Sequence, residues 1–426
     1  RLVGSEMCIR DRCNMLGDGL IPSNTKAGYL ARMLARRVCR MKSDLSLNVT
    51  LAELGKHHIE AHLDLDNFTQ NEKGILLLLE LEESRYYEML RKGQSAVKTA
   101  LQNLPKNATE VPDSILFRLS EERGLNPDMV MAISNDLGWS NLSVRVGFSA
   151  DMADRNARMT KDAAKIRDKN KFLKNSFPVT SQDYYLDTNQ THFSAKVLHC
   201  GEIDIESNKI SFSNEVISNP THFVVLDRTL FYPEGGGQLG DQGYFHKDES
   251  QVISVLDTKI EDGVIIHFTN GFVSNGDINA EVDSTRRRQL MDHHTAIHIV
   301  GGAARDILGP HIRQAGSNKG QRYARIDLTH HSRMSRDLLD KIEDRANDIV
   351  QSNPVVEKII LDRAEADAKF GFDIYQGGPP KHQEIRIIKI GDFDIQACGG
   401  THHDEAGKIG ELRIVRSSQV QDGVER

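Results

Sequence analysis

Long apolar runs are missing from this 426-residue sequence. No stretch supplies the roughly 20 consecutive apolar residues a membrane helix needs, and no secretory signal opens the chain. Cysteine is scarce and unpatterned: Cys8, Cys13, Cys39, Cys200 and Cys398 form no CxxC and no regular pairing. That fits a reducing cytosol better than a disulfide framework. An excess of positive charge is absent as well, with 61 acidic against 54 basic residues. The global charge is therefore not that of a nucleic-acid binder, and any contact with a polyanion must come from local patches. The expectation is a soluble cytosolic chain of two to four domains.

What is present concentrates in the last third. His294 and His298 lie in DHHTAIHIV, within a stretch from Ser284 to Leu308 that reads as a helix. Leu290, Ile297, Ala304 and Leu308 recur at helical spacing, Ser284 is a candidate cap and Gly309-Pro310 supplies the stop. Residues four apart on a helix share a face, so the two imidazoles can reach one point. Cys398 and His402 lie in CGGTHHDEAG, a glycine-rich turn after the strand-like EIRIIKIGDFDIQ. Three histidines and one cysteine match the tetrahedral preference of zinc, and one Zn2+ per chain is expected on His294, His298, Cys398 and His402. Metal binding requires the Cys398 thiolate, so affinity should fall as pH drops.

Along the chain, Arg1 to Arg12 joins poorly to the residues after it and reads as a non-native extension. Residues 13–175 are expected to be largely helical. Pro22-Ser23-Asn24 is a turn into a helix with Leu30, Met33, Leu34 and Val38 as its apolar stripe. Arg32, Arg36 and Arg40 recur beside it. Such a row can track a phosphate backbone, although composition alone favours an ordinary solvated face. Helices come next over Leu51–Leu65 and Asn71–Leu104, then a short one, a turn at Gly124 and another from Pro127; Lys161–Lys174 is a charged linker. Over residues 176–283 the runs HFVVLD, VISVLD, GVIIHF and INAEV, with KISFS before them, have the spacing of a small β-barrel or sandwich. Embedded there is RTLFYPEGGGQLGDQGYF, whose Gly235, Gly236 and Gly237 permit backbone closed to other residues and close approach of a ligand. Residues 284–426 read as an α/β zinc-containing domain, with a loop and strand after the zinc helix and a helix over Ser335–Ser352. The strand-like end at Arg426 reads as a cut. The fold class expected is α+β, multidomain.

DGLIPSN with its arginine helix, TLFYPEGGGQLGDQG, HTAIH, RQAGS, RYARIDLTH and ACGGTH with AGKIGELRI occur in this order. Together they resemble the alanyl-tRNA synthetase family over residues 17–426. The resemblance implies a helical tRNA-recognition domain, a small barrel and an editing domain that binds zinc through His294, His298, Cys398 and His402. It implies partners in the acceptor stem and 3′ end of tRNA(Ala), and hydrolysis of mischarged seryl- or glycyl-tRNA(Ala). Gln314 matches the glutamine of the family's editing cleft, Thr229 with Gly235, Gly236 and Gly237 the motif beside it, and Asn24 a residue associated with reading the acceptor-stem wobble pair. Glu121 stands where the family usually has aspartate, one methylene longer, and the neighbouring tyrosine is replaced.

The family's adenylating core, which uses ATP and Mg2+, precedes DGLIPSN, and its oligomerisation region comes after the editing domain. Both are expected to be missing here, so charging of tRNA is not expected, and homo-oligomers would need the missing C-terminal region. Alternatives are a non-catalytic tRNA-binding zinc module and a free-standing trans-editing deacylase, against which the DGLIPSN helix argues. HTAIH lacks the glutamate a zinc protease would place after the first histidine. Four protein ligands leave open whether zinc activates water or positions substrate. The general base is not legible among His293, His330, His403 and Asp404.

Overall fold

The computed structural model describes residues 11, 13–22, 26–62, 66–105, 107–148, 151, 172–173, 177–203, 212, 215, 219–248, 251–376, 383–421 and 423–426. Asn24, and all but isolated positions of the N-terminal extension, of KISFS and of the charged linker, lie outside them. Two compact units result, Arg1–Asp168 and Lys169–Arg426.

The first unit holds helices α1 (Lys26–Asp44), α2 (Leu51–Glu60), α3 (Asp66–Leu101), α4 (Asp113–Arg123) and α5 (Pro127–Asp136). Local chemistry explains their ends. Thr50 and Glu53 form a reciprocal capping box on α2, Gly124 takes a left-handed φ of 67° after α4, and Asn126 caps α5 with Pro127 in its first turn. Helix α3 is interrupted at Asn71, whose φ and ψ are not helical.

Helix α1 is turned differently from its apolar pattern. Ala31, Ala35, Val38 and Cys39 are buried, while Leu30 and Met33 face solvent. Arg32 is the cause: at 3% exposure it is paired through both Nε and Nη2 with the buried Glu82 of α3 and also donates to Pro22 O. The expected row of phosphate contacts is corrected at Arg32, which is withdrawn into the helical core. Arg36 points Nη1 at Met129 Sδ, and Arg40 pairs with Asp128 at 2.6 Å near the surface.

In the second unit, β1 (His192–Glu202), β2 (His222–Leu226), β3 (Gly243–Asp248), β4 (Gln251–Glu261), β5 (Val264–Thr269) and β6 (Gly276–Val282) close a barrel in the order β1-β2-β5-β4-β3-β6. Ile278, Ala280 and Val282 face its core and alternate with Asp277, Asn279 and Glu281, the period of a strand with one buried face. Strand β5 is buried along its whole length: Tyr184 and Tyr232 pack on Ile265, and the rings of Phe172 and Phe212 cover Phe268 on the opposite face.

Helix α6 spans Ser284–Leu308, as its pattern predicts, but its cap is Asp283, whose carboxylate accepts from Arg286 N; Gly309, at φ 106°, ends it. Next come β7 (Gln314–Lys319) and β8 (Ala324–Thr329), an antiparallel pair where the apolar pattern predicts a loop and one strand. Gln314–Lys319 has almost no apolar content, so hydrophobic alternation cannot reveal it. Helix α7 (Arg336–Ser352), capped by Ser335, packs on α6. Strand β9 (Val356–Asp362) leads into α8 (Arg363–Phe370) and pairs with the hairpin of β10 (Glu384–Ile390) and β11 (Asp394–Ala397). Among the described residues no helix is long and apolar enough to cross a membrane.

Candidate metal centre

Helix α6 presents His294 and His298 one turn apart, and the turn after β11 returns Cys398 and His402 to the same point. Ligand atoms of all four lie within 4.8 Å of one another. Cys398 Sγ is 3.3 Å from His294 Nε2 and 3.4 Å from His402 Nε2. In a zinc tetrahedron with bonds of ~2.3 Å to sulfur and ~2.05 Å to nitrogen, that edge is about 3.6 Å. The donors therefore already stand at metal spacing, and a set of one sulfur and three nitrogens fits zinc.

Each imidazole is oriented through its outer nitrogen. Gln238 Oε1 accepts from Thr401 N at 3.1 Å while Gln238 Nε2 donates to Thr401 Oγ1 at 2.9 Å. These two bonds fix the amide, so His294 Nδ1, 2.7 Å from Gln238 Oε1, must be the donor and Nε2 is left bare for a metal. His298 Nδ1 donates to Asp394 at 3.3 Å, and Asp394 is held in turn by Gln396 and Arg305. His402 Nδ1 meets Thr295 Oγ1 at 3.2 Å. Such partners set tautomer and ring direction.

Protonation is set by burial and neighbours. Burial holds His294 down to about 4 against the pull of Cys398, and holds His402 well below its ordinary value. Burial opposes ionisation of Cys398 too, but His294, His298 and His402 outweigh it and keep the thiol well below its ordinary value. For His298 burial is overcome by Asp394 and then Cys398, which raise it to about 9. The Cys398 thiolate is the form a metal takes, and a metal would displace the proton that His298 holds.

The glycine-rich motif supplies the roof. Gly236 and Gly237 have φ of 58° and 80°, and a Cβ on Gly237 would sit 2.3 Å from Ser317 O. Only glycine lets this loop lie on β7. Lys319, 2% exposed, ties the two together, with Nζ donating to Gly236 O at 2.8 Å and Ser317 Oγ at 2.6 Å. Burial pulls its ammonium down to about 8. The same loop carries Gln238 to His294. Sequence reasoning singled out Gly235, Gly236 and Gly237 but missed Gln238 and Lys319, since nothing in a single sequence links position 238 to 294. Gln238→Leu is expected to weaken zinc binding by roughly 10–100-fold with the fold intact; competition against a chelator would measure it, and unchanged affinity would refute the orienting role.

Thr229, in a short parallel pairing of Arg228–Thr229 with Ser181–Gln182, is fully buried. His267 Nδ1 faces Val224 O at 3.2 Å, so it carries the proton; burial keeps the ring neutral, with its pKa near about 4. His267 Nε2 therefore accepts the Thr229 hydroxyl proton at 2.9 Å, and Thr229 Oγ1 accepts from Phe231 N at 3.0 Å. Its donor is spent and one lone pair remains. Gln314 opens β7, two residues before Gly316 on the strand that meets the glycine loop, with its backbone N bonded to Gln376. Glu121 is in α4.

The groups near the motifs that the sequence offers as a base are engaged elsewhere. His293 bonds Gly320 O, His403 bonds Asp292, His330 faces His311, and Asp404 pairs with Lys358 and Asn189.

Residues 9–286 match the family model described as "tRNA synthetases class II (A)", and residues 385–426 that described as "Threonyl and Alanyl tRNA synthetase second additional domain". The first span takes in the arginine helix and the barrel, so it is not confined to the sequence before DGLIPSN, where the class II part was expected to lie. Proteins named "Alanine--tRNA ligase" are similar along nearly the whole chain. That of Haloquadratum walsbyi is 39% identical over 413 residues, and that of Halobacterium salinarum 38% over 413; each alignment covers 97% of this chain and 42% of the relative. The Methanosarcina barkeri protein is 36% identical over 423 residues, 97% and 43% of the two chains. The chain thus spans less than half the length of these relatives. With the class II model matched over more than half of its residues, the chain belongs to the alanyl-tRNA synthetase family.

Proposed function

We propose that this chain binds the acceptor stem and 3′ end of tRNA(Ala) and hydrolyses seryl- or glycyl-tRNA(Ala) at the Cys398 centre. The observation that carries this reading is the meeting of His294, His298, Cys398 and His402 beneath the glycine loop, with Gln238 joining the two. The need for such a site is physical. A pocket built for alanine cannot strongly exclude glycine, since one methylene is worth about 1–3 kcal/mol, nor a small side chain that adds a hydroxyl. A second pocket that hydrogen-bonds the serine hydroxyl reverses the preference, because alanine would leave the protein group unpaired.

In the hydrolysis, water adds to the acyl carbon and the ribose oxygen leaves with a proton. Zinc at this centre would supply fixed positive charge toward the ester and the terminal ribose. The chain's own residues do the arranging. Gln238, Asp394 and Thr295 aim the three rings, and Lys319 holds the glycine loop over them. Thr229, with its proton committed to His267, can serve the serine hydroxyl only as an acceptor; Gln314 is the other candidate for that bond. Because four protein ligands close the centre, positioning is the role favoured over water activation.

Deacylation of Ser-tRNA(Ala) alongside Ala-tRNA(Ala) tests the reading. The wild-type chain should release serine selectively, and His294→Ala/Cys398→Ala should lose both zinc and hydrolysis. Thr229→Val or Gln314→Ala should narrow discrimination roughly tenfold, the ~1–2 kcal/mol of one hydrogen bond. Tight tRNA binding and full zinc without any hydrolysis would replace this reading with a binding module.

A further inference from the structure

Outside the Cys398 centre, a second group of histidines converges. His311 lies just past the glycine stop of α6, and His330 and His331 just past β8; one ring nitrogen of each lies within 4.8 Å of the others. The backbone holding them is braced. Thr329 Oγ1 donates to His311 O at 2.6 Å and accepts from Arg313 N at 2.8 Å, Thr329 N donates to Arg313 O at 2.9 Å, and His330 N donates to Gly423 O at 3.0 Å. The rings of His311 and His330 stack at 5.3 Å and 21°, and those of His330 and His331 approach to 4.4 Å. His311 Nε2 and His330 Nδ1 are 3.0 Å apart. Two imidazole nitrogens on one tetrahedral zinc would be about 3.3 Å apart, given bonds of ~2.05 Å.

We infer that His311, His330 and His331 form a second metal site, distinct from the Cys398 centre and taking a divalent ion that prefers imidazole nitrogen, such as zinc, cobalt or nickel. Burial supports it by depressing both His311 and His330 to about 4, so both rings are in the neutral form a metal needs. His330 Nε2 lies 3.4 Å from Ser332 Oγ, which can accept its proton and leave Nδ1 bare. For a metal to bind both nitrogens, the proton between the two rings would shift to His311 Nδ1, so these two rings release no proton. Three neutral ligands leave a fourth position for water or a small anion, unlike the four-ligand Cys398 centre. Cysteine takes no part, so the two sites differ in spectrum as well as place.

The test is metal counting on the untagged full chain after equilibrium dialysis against Zn2+ and, separately, Co2+. Wild type should hold two ions per chain, and His294→Ala/Cys398→Ala should keep one. Adding His331→Asn or His311→Asn to that double variant should remove it; using both variants, with circular dichroism on each, separates ligand loss from misfolding. Cobalt in the double variant should show ligand-field bands without the thiolate-to-cobalt band that Cys398 contributes. One ion in wild type and none in the double variant would overturn the inference, as would a retained ion that survives both histidine substitutions.

Discussion

Gly400→Ala should weaken zinc binding at the proposed Cys398 centre more than any other single glycine change in the turn. A Cβ at this position would stand 1.9 Å from His294 Cε1, 2.2 Å from its Nδ1 and 3.0 Å from Gln238 Oε1. The histidine cannot yield cheaply, since Nδ1 is bonded to Gln238 and Nε2 faces Cys398. The turn cannot yield either, because Arg386 grips Cys398 O at 2.9 Å and Gly400 O at 2.8 Å. Either the ring swings off the centre or the turn lifts Cys398 and His402 away from it. Both break the tetrahedron, so affinity should fall by at least ~100-fold, the upper range for losing a supporting contact. Gly399→Ala is the control: its Cβ would meet only Tyr185 Oη, at 3.3 Å, the far end of a side chain. Chelator competition should place Gly399→Ala near wild type; wild-type affinity in Gly400→Ala would show that the turn is softer than this packing implies.

Arg287→Leu should produce the largest loss of stability. Arg287 and Asp241 are 2% and 0% exposed and form a close ion pair through Nε and Nη2, while the guanidinium also donates to Thr188 O and Leu230 O. Asp241 accepts in addition from Tyr232 N at 2.7 Å. Removing one partner of a buried pair strands the other charge, at a cost of about 3–5 kcal/mol. For a unit of this size that corresponds to a fall in Tm on the order of 10 °C. Arg287→Leu/Asp241→Asn should recover part of the loss, since the amide leaves no buried charge. Thermal unfolding measures both, and equal losses in the single and double variants would mean that the hydrogen bonds to Thr188 and Leu230, not the charge, dominate.

Much of the centre was legible because short-range rules govern it. A helix places residues four apart on one face, so HTAIH announced a ligand pair, and a cysteine and histidine in a glycine turn announced another. The helix ends at Gly124, Asn126, Ser335 and Asp362 obey capping chemistry that acts over three or four residues. The barrel was legible in alternating runs between turn residues. Where local pattern misleads, a distant partner decides. Leu30 and Met33 look like a core stripe until Glu82, 50 residues beyond Arg32, draws that arginine inward and turns the helix. Gln314–Lys319 is a strand because Ala324–Thr329 pairs with it, not because of its own composition.

The sequence alone, then, determined which four residues stand out as a candidate ligand set, the secondary elements that carry them and the family, since each rests on residue types at spacings of a few positions or on motifs in order. Tertiary structure alone decided what surrounds them. It brought Gln238 to His294 and Asp394 to His298, spent the Thr229 proton on His267, buried Arg32, and gathered His311 with His330 and His331. Those contacts depend on where chain segments 19 to 96 residues apart come to rest, and no local periodicity encodes that.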